Sequence, residues 1–235
     1  MKRTKPVNKD LLKPIEPLTP AQESLWEQYA TGKNLVAYGC AGTGKTFCLL
    51  YQALKEVLTE DTPYEKIYIV RSLVPTREIG FLPGTHEDKS YLYQIPYRNM
   101  VKHMFSMYTD KEFDTLYEDL QRQETISFWS TSFLRGTTLD NAIIIVDEFE
   151  NLNFHELDSI MTRVGENSKI FFAGDASQSD LLKVTERTGI LDFMQILQGM
   201  PEFGKIEFGL EDIVRSGLVR SYLVSKINQG YNENI

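Results

Sequence analysis

The stretch Asn34-Leu-Val-Ala-Tyr-Gly39-Cys-Ala-Gly42-Thr-Gly44-Lys45-Thr46 decides how the rest of the chain is read. Gly39, Gly44, Lys45 and Thr46 fit the phosphate-binding-loop pattern G-x4-G-K-[ST] in full. That pattern has meaning only between a buried strand and a helix, and both flanks comply. Leu35–Tyr38 is an apolar run of strand length. From Phe47 to Val57 the chain is a good helix former, with Cys48, Leu49, Tyr51, Leu54 and Leu58 at helical spacing. The glycines allow a curl in which N–H groups along Gly39, Cys40, Ala41, Gly42, Thr43 and Gly44 point inward at a polyphosphate. The start of the helix adds unpaired N–H groups and its positive dipole end. Lys45 is expected to reach the β- and γ-phosphates of ATP, and the Thr46 hydroxyl to hold Mg²⁺. An ordinary glycine-rich turn would explain the glycines, but it has no need of the Lys-Thr pair.

Outward from the loop, apolar runs of strand length recur. They are Ile67–Val70, Ile126–Trp129, Ala142–Val146, Lys169–Ala173 and Lys205–Phe208. Ala142-Ile-Ile-Ile-Val146 is continuous and β-branched, as a strand covered on both faces by helices should be. Helical patterns lie between the runs, over Phe154–Arg163, Gly189–Gln198 and Leu218–Asn228. Upstream, Thr19 reads as a helix N-cap with Pro20 at the first helical position. Strands alternating with helices predict a three-layer αβα fold around a mostly parallel sheet. Residues 17–235 are read as one domain with a helical excursion near 85–123, preceded by a flexible basic tail over 1–16. The excursion mixes Tyr91, Tyr93, Tyr97, Met100, Met104 and Phe105 with Lys89, Arg98 and Lys102. Such side chains stack on single-stranded bases in some proteins, but a Met and aromatic stripe is the ordinary mark of packing, and packing is the preferred reading.

Composition narrows the class. At 235 residues and 42% hydrophobic the chain can bury a substantial core, and no apolar run is long enough to span a membrane. Met1-Lys-Arg-Thr-Lys-Pro lacks the apolar stretch of a secretion signal, so a cytoplasmic location is expected. Cys40 and Cys48 make neither a disulfide framework nor a zinc site, and His86, His103 and His155 are scattered. A formal net charge of −8 argues against a protein that coats nucleic acid with its whole surface. Locally, Lys2, Arg3, Lys5, Lys9 and Lys13 face only Asp10, which suits a solvated terminus or a nucleic-acid arm.

In an open parallel sheet, ligands bind beyond the carboxyl ends of the strands. Four strand ends are polar: the phosphate loop, Arg71, Asp147-Glu148, and Asp175 with Gln178. Asp147 suits the carboxylate that holds Mg²⁺ opposite Thr46, and Glu148 the base that takes a proton from the attacking water. The Gln178 amide is placed to hydrogen-bond the γ-phosphate or that water. Gln22, just upstream of the loop, offers the donor and acceptor that adenine requires, although Thr-Pro-x-Gln is also a routine capped helix start. Phosphoryl transfer needs positive charge on its transition state. Arg215 is the first candidate, delivered from a neighbouring subunit, and Arg163 the second.

Taken together, Gly39–Thr46, Gly80-Phe-Leu-Pro-Gly84, Arg135-Gly-x-Thr138, Val146-Asp-Glu148, Thr162-Arg163-x-Gly165, Gly174-Asp-x-x-Gln178 and Asp212-x-Val-Arg215 resemble the PhoH-like family of P-loop ATPases. These are RecA-like domains related to superfamily 1 helicase cores, found in bacteria and many phages. The resemblance runs from about Pro17 to about Asn228. It implies ATP binding and hydrolysis, assembly as a homo-oligomeric ring (a hexamer for preference), and action on RNA. A second reading is a motor that couples this ATPase to single-stranded RNA or DNA through Arg135, Thr137 and the aromatic excursion. The chain departs from the family pattern where Cys40 replaces proline and where Phe149-Glu150 replace Ala-Gln. A rival reading is an assembly protein whose bound ATP sets oligomeric state with little turnover.

Overall fold

The computed structural model describes residues 7–72, 86–131, 134, 136–175 and 184–229. Each apolar run becomes a strand: β1 (Asn34–Gly39), β2 (Lys66–Arg71), β3 (Ile126–Ser130), β4 (Ala142–Asp147), β5 (Lys169–Gly174) and β6 (Phe203–Phe208). They form one sheet in the order β3-β2-β4-β5-β1-β6, with every pairing parallel. Parallel neighbours require crossovers, and helices supply most of them. The helices are α1 (Pro20–Ala30), α2 (Lys45–Val57), α3 (His86–Met104), α4 (Asp110–Arg122), α5 (Phe154–Met161), α6 (Val184–Gln198) and α7 (Gly217–Asn228).

The pleat sorts the strand residues into two cores. Leu35, Ala37, Ile67, Ile69, Ile143, Ile145, Phe171 and Ala173 face α1 to α4, and Val36, Val70, Ile144, Val146, Ile170 and Phe172 face α5 and α6. All six residues of β4 are buried, as its unbroken apolar run requires. The three-layer αβα fold expected from the sequence is therefore the fold observed.

Local chemistry sets the helix starts. Thr19 accepts a hydrogen bond from the Gln22 N–H at 3.4 Å, with Pro20 opening α1. Thr109 with Glu112, and Asn153 with Glu156, form capping boxes that open α4 and α5. The excursion resolves into α3 and α4, broken where Phe105 bridges antiparallel to Leu12. Its large side chains are mainly core: Tyr97, Met104, Phe105, Phe113 and Tyr117 are buried against α2 and the sheet.

One expectation is corrected. The basic composition assigns residues 7–16 to a flexible tail, yet from Val7 onward they pack on the domain. Val7 is buried, the Lys13 N–H donates to the Met104 carbonyl at 2.8 Å, and the Ile15 N–H donates to the Tyr51 hydroxyl at 3.1 Å. Lys9 and Lys13 donate to Thr59 Oγ1 at 2.7 Å and the His103 carbonyl at 2.8 Å. The interleaved apolar residues Val7, Leu12 and Ile15 outweigh the basic charge, because they cover the groove between α2 and α3.

Phe172 is fully buried and meets Phe149, Phe193 and Phe203. Phe172→Ala is expected to lower unfolding stability by about 3–5 kcal/mol, read as an earlier urea midpoint with an unchanged slope.

Candidate nucleotide site

The loop after β1 is shaped by contact with β6. The Cys40 N–H donates to the Phe208 carbonyl at 2.8 Å, a bond that a proline at this position would be unable to make. Gly39 lies at φ +110°, and a Cβ there would meet the Phe208 oxygen at 2.4 Å. Gly44 caps α2 at φ +84° with no side-chain bond, so the first N–H groups of the helix are open to the cleft. This is a cradle that added side chains would fill, and its free donors fit an anionic phosphate.

Lys45 folds back over the loop. Its Nζ donates to the carbonyls of Gly39 and Cys40, both at 2.7 Å. Burial pulls its pKa below the usual lysine value, against the opposing pull of Asp175 and Glu150. Thr43 is buried, and its hydroxyl donates to the Cys40 carbonyl at 2.9 Å.

Across the sheet β5 separates β1 from β4, and this offset brings the end of β4 under the first turn of α2. The Thr46 hydroxyl donates to Asp147 Oδ1 at 2.6 Å. Two hard oxygen donors are the chemistry Mg²⁺ accepts, and it ordinarily takes only one or two carboxylates besides phosphate and water. Glu148 has a left-handed backbone, φ 51° and ψ 47°. Glu148 pairs with Arg71 from β2 and accepts from Asn151 Nδ2 at 3.4 Å. Burial pushes the Glu148 carboxyl above its usual range, Arg71 opposing.

These residues line one cleft of about 1050 Å³ at the carboxyl ends of the strands, at the upper limit of small-molecule and cofactor pockets. Ala41, Gly42, Asp147, Glu148, Asp175 and Arg215 all reach it. Gln22 does too, but its amide is already engaged: it donates to the Thr43 carbonyl at 2.9 Å and accepts from the Leu18 N–H at 2.8 Å. It braces the loop against α1. Asp212 joins the same brace, accepting from the Ala21 N–H at 3.2 Å and the Gly209 N–H at 2.9 Å. Arg215, expected to reach a neighbour's cleft, lines the cleft of its own chain. The Val214 N–H donates to the Gly42 carbonyl at 3.1 Å, which lays the Arg215 stem over Gly42.

Other expected residues lie elsewhere. Arg163 sits past α5, where the Leu139–Val164 bridge places it at the amino end of β4, opposite the cleft. The Thr137 hydroxyl donates to the Leu134 carbonyl at 2.9 Å, closing its own turn. Arg135, Gln178 and Gly80–Gly84 fall outside the described residues. Tyr97, His103 and Glu150 are among the cleft residues that the sequence does not mark as site residues. Tyr97 and His103 read there as an excursion aromatic and a scattered histidine. Glu150 reads only as a departure from a family pattern. The signal for all three is tertiary, apart from the unusual charge of Glu150 beside an apolar strand.

A family model described as "PhoH-like protein" matches residues 14–227. The chain belongs to the PhoH-like family. It is 32% identical over 185 residues to Protein PhoH2 of Bacillus subtilis, covering 77% of this chain and 40% of that one. To Protein PhoH of Escherichia coli K12 it is 28% identical over 212 residues, covering 89% of this chain and 57% of that one. The chain thus spans about half the length of these curated relatives. Among solved structures, the large terminase of a thermophilic bacteriophage in complex with ADP superposes with a TM-score of 0.53 at 12% identity. The match covers 88% of this chain and 49% of the terminase. The fold of this PhoH-like chain is that of the RecA-like P-loop NTPases. Among the described residues no helix is long and apolar enough to cross a membrane.

Glu150 carries a pH prediction for the PhoH-like chain. Burial pushes its carboxyl from an ordinary 4.5 up to about 8, against the backbone amides of Glu150 and Asp175. Between those values the folded state keeps a proton that the unfolded chain releases. Stability therefore falls as pH rises across that window, by about 1.4 kcal/mol per unit of pKa difference at most. Glu150→Gln removes the penalty, so its gain in melting temperature should be several degrees larger at pH 8 than at pH 5. Equal gains at both pH values would contradict this account.

Proposed function

We propose that this chain binds Mg-ATP and hydrolyses it, as a single RecA-like ATPase domain that includes the packed segment from Val7 onward. The observation that carries the reading is the 2.6 Å contact between Thr46 and Asp147. It joins residues 101 positions apart at the mouth of an open helix N-terminus. In this reading the loop N–H groups hold the phosphates, and Lys45 exchanges its bonds to Gly39 and Cys40 for the β- and γ-phosphate oxygens. Thr46 and Asp147 would hold the cation. Bound Mg²⁺ supplies charge neutralisation on those phosphates. Glu148 accepts a proton from the attacking water, and its raised pKa brings its basicity nearer to neutrality, where a general base is most effective. Arg71 holds Glu148 in the meantime, so hydrolysis requires that pair to loosen. Arg215 brings its positive charge to the phosphates of its own chain, and Gln178 supplies an amide on the γ side.

The proposal extends to a homo-oligomeric ring in the cytoplasm, coupled to RNA or single-stranded DNA. The exposed apolar residues Leu218, Val219 and Tyr222 of α7, next to Arg215, favour assembly with further copies. Those same residues also favour the rival in which ATP sets assembly without turnover. Steady-state hydrolysis separates the two. Lys45→Ala should abolish both ATP binding and turnover. Glu148→Gln should lower kcat by about 10²–10⁴-fold while ATP binding is retained. Binding with negligible turnover in the unaltered chain would favour the assembly reading. Single-stranded RNA or DNA should raise wild-type turnover in a salt-sensitive way, and turnover indifferent to both would remove the nucleic-acid part.

A further inference from the structure

Both oxygens of the Asp147 carboxylate are engaged, and they are engaged from different helices, α2 and α3. Oδ1 accepts from Thr46, and Oδ2 accepts from the Tyr97 hydroxyl at 2.6 Å. Tyr97 belongs to α3, in the excursion between β2 and β3, and is 2% exposed. A buried hydroxyl must find an acceptor, and this one finds the carboxylate at the end of β4. Its ring is held independently, tilted against Phe128 of β3 with centroids 5.3 Å apart. The preceding residue, Pro96, sits inside α3 and also lines the cleft. A proline within a helix removes a backbone hydrogen bond, so α3 breaks a local rule at the point where it meets the site. Such violations concentrate where function requires them.

We propose that Tyr97 is a positioning residue for the nucleotide's divalent cation. Its hydroxyl fixes the orientation of Asp147 so that the Oδ1 edge stays turned to Thr46. With one oxygen bonded, a carboxylate can still swing about its Cβ–Cγ bond, and a bond to the second oxygen narrows that swing. Partners that orient a metal ligand are typically worth about 10–100-fold in metal affinity. The inference rests on the nucleotide reading above and adds a role for α3 within it. It also makes the excursion a route by which anything bound to α3 or α4 would bear on the metal carboxylate.

The test is ATP binding by isothermal titration calorimetry across a range of free Mg²⁺, for wild type, Tyr97→Phe and Phe128→Leu. In excess EDTA, wild type and Tyr97→Phe should bind ATP alike. The free Mg²⁺ that gives half of the metal-dependent tightening should rise about ten-fold or more in Tyr97→Phe, with its circular-dichroism melt close to wild type. Phe128→Leu loosens the ring's seat without removing the hydroxyl. It should lower the melting temperature and leave the Mg²⁺ dependence near wild type. A Tyr97→Phe dependence within about two-fold of wild type, well short of the effect of a lost ligand-orienting partner, overturns the proposal. So does an equal shift in Phe128→Leu, which would make the effect one of packing. A wild type that binds no ATP under any condition overturns the nucleotide reading itself, and Tyr97's role with it.

Discussion

The hydrogen bond from Thr46 to Asp147 is the constraint on which the site depends. It closes the gap between the loop after β1 and the end of β4, two strands that are not neighbours because β5 lies between them. The separation leaves room above β5 for a bound group, and the first turn of α2 spans it. Were β1 and β4 adjacent, Lys45 and the carboxylates would crowd one another. Parallel register holds the spacing, with Tyr38 opposite Gly174 and Asp147 opposite Ala173. The three strand ends therefore finish at nearly the same level.

The site is assembled from choices that are locally unfavourable. Lys45 and Glu150 are buried charges or potential charges, and Glu148 adopts a left-handed backbone that costs a non-glycine residue about 1–2 kcal/mol. The surroundings offset these costs. Carbonyls of the loop satisfy Lys45, Arg71 meets Glu148, and the Glu150 carboxyl is pushed toward its neutral form. The continuous apolar strands behind the site supply the stability that such a cluster consumes.

Around that centre, the elements that brace the site come from distant parts of the chain. Gln22 and Asp212 tie α1 to the loop and to the end of β6, and Val214 holds Gly42. The segment from Val7 to Ile15 covers α2 and α3 from outside. Each contact limits how far the loop can shift without moving a helix, so the cradle is stiff where phosphates would lie. The Arg71–Glu148 pair is different. It is partly exposed and joins side chains alone, so it is the contact of the site most open to rearrangement.

The sequence by itself determined the layers, the strands and the loop. The short apolar run of β1, an unbroken apolar β4 and the G-x4-G-K-T spacing are local patterns whose physics leaves few alternatives. It also indicated that Asp147 and Glu148 would stand at a strand end beside the loop. The partners were decided only by tertiary structure: Tyr97 on Asp147, Arg71 on Glu148, Gln22 on Thr43, and Arg215 over its own Gly42. The fate of the basic amino-terminal segment was decided there as well. A side chain's partner depends on which crossover passes over which strand end, and composition does not encode that. Tyr97 shows the limit most plainly, since its spacing marks it as core, which it is, while the direction of one hydroxyl also makes it part of the site.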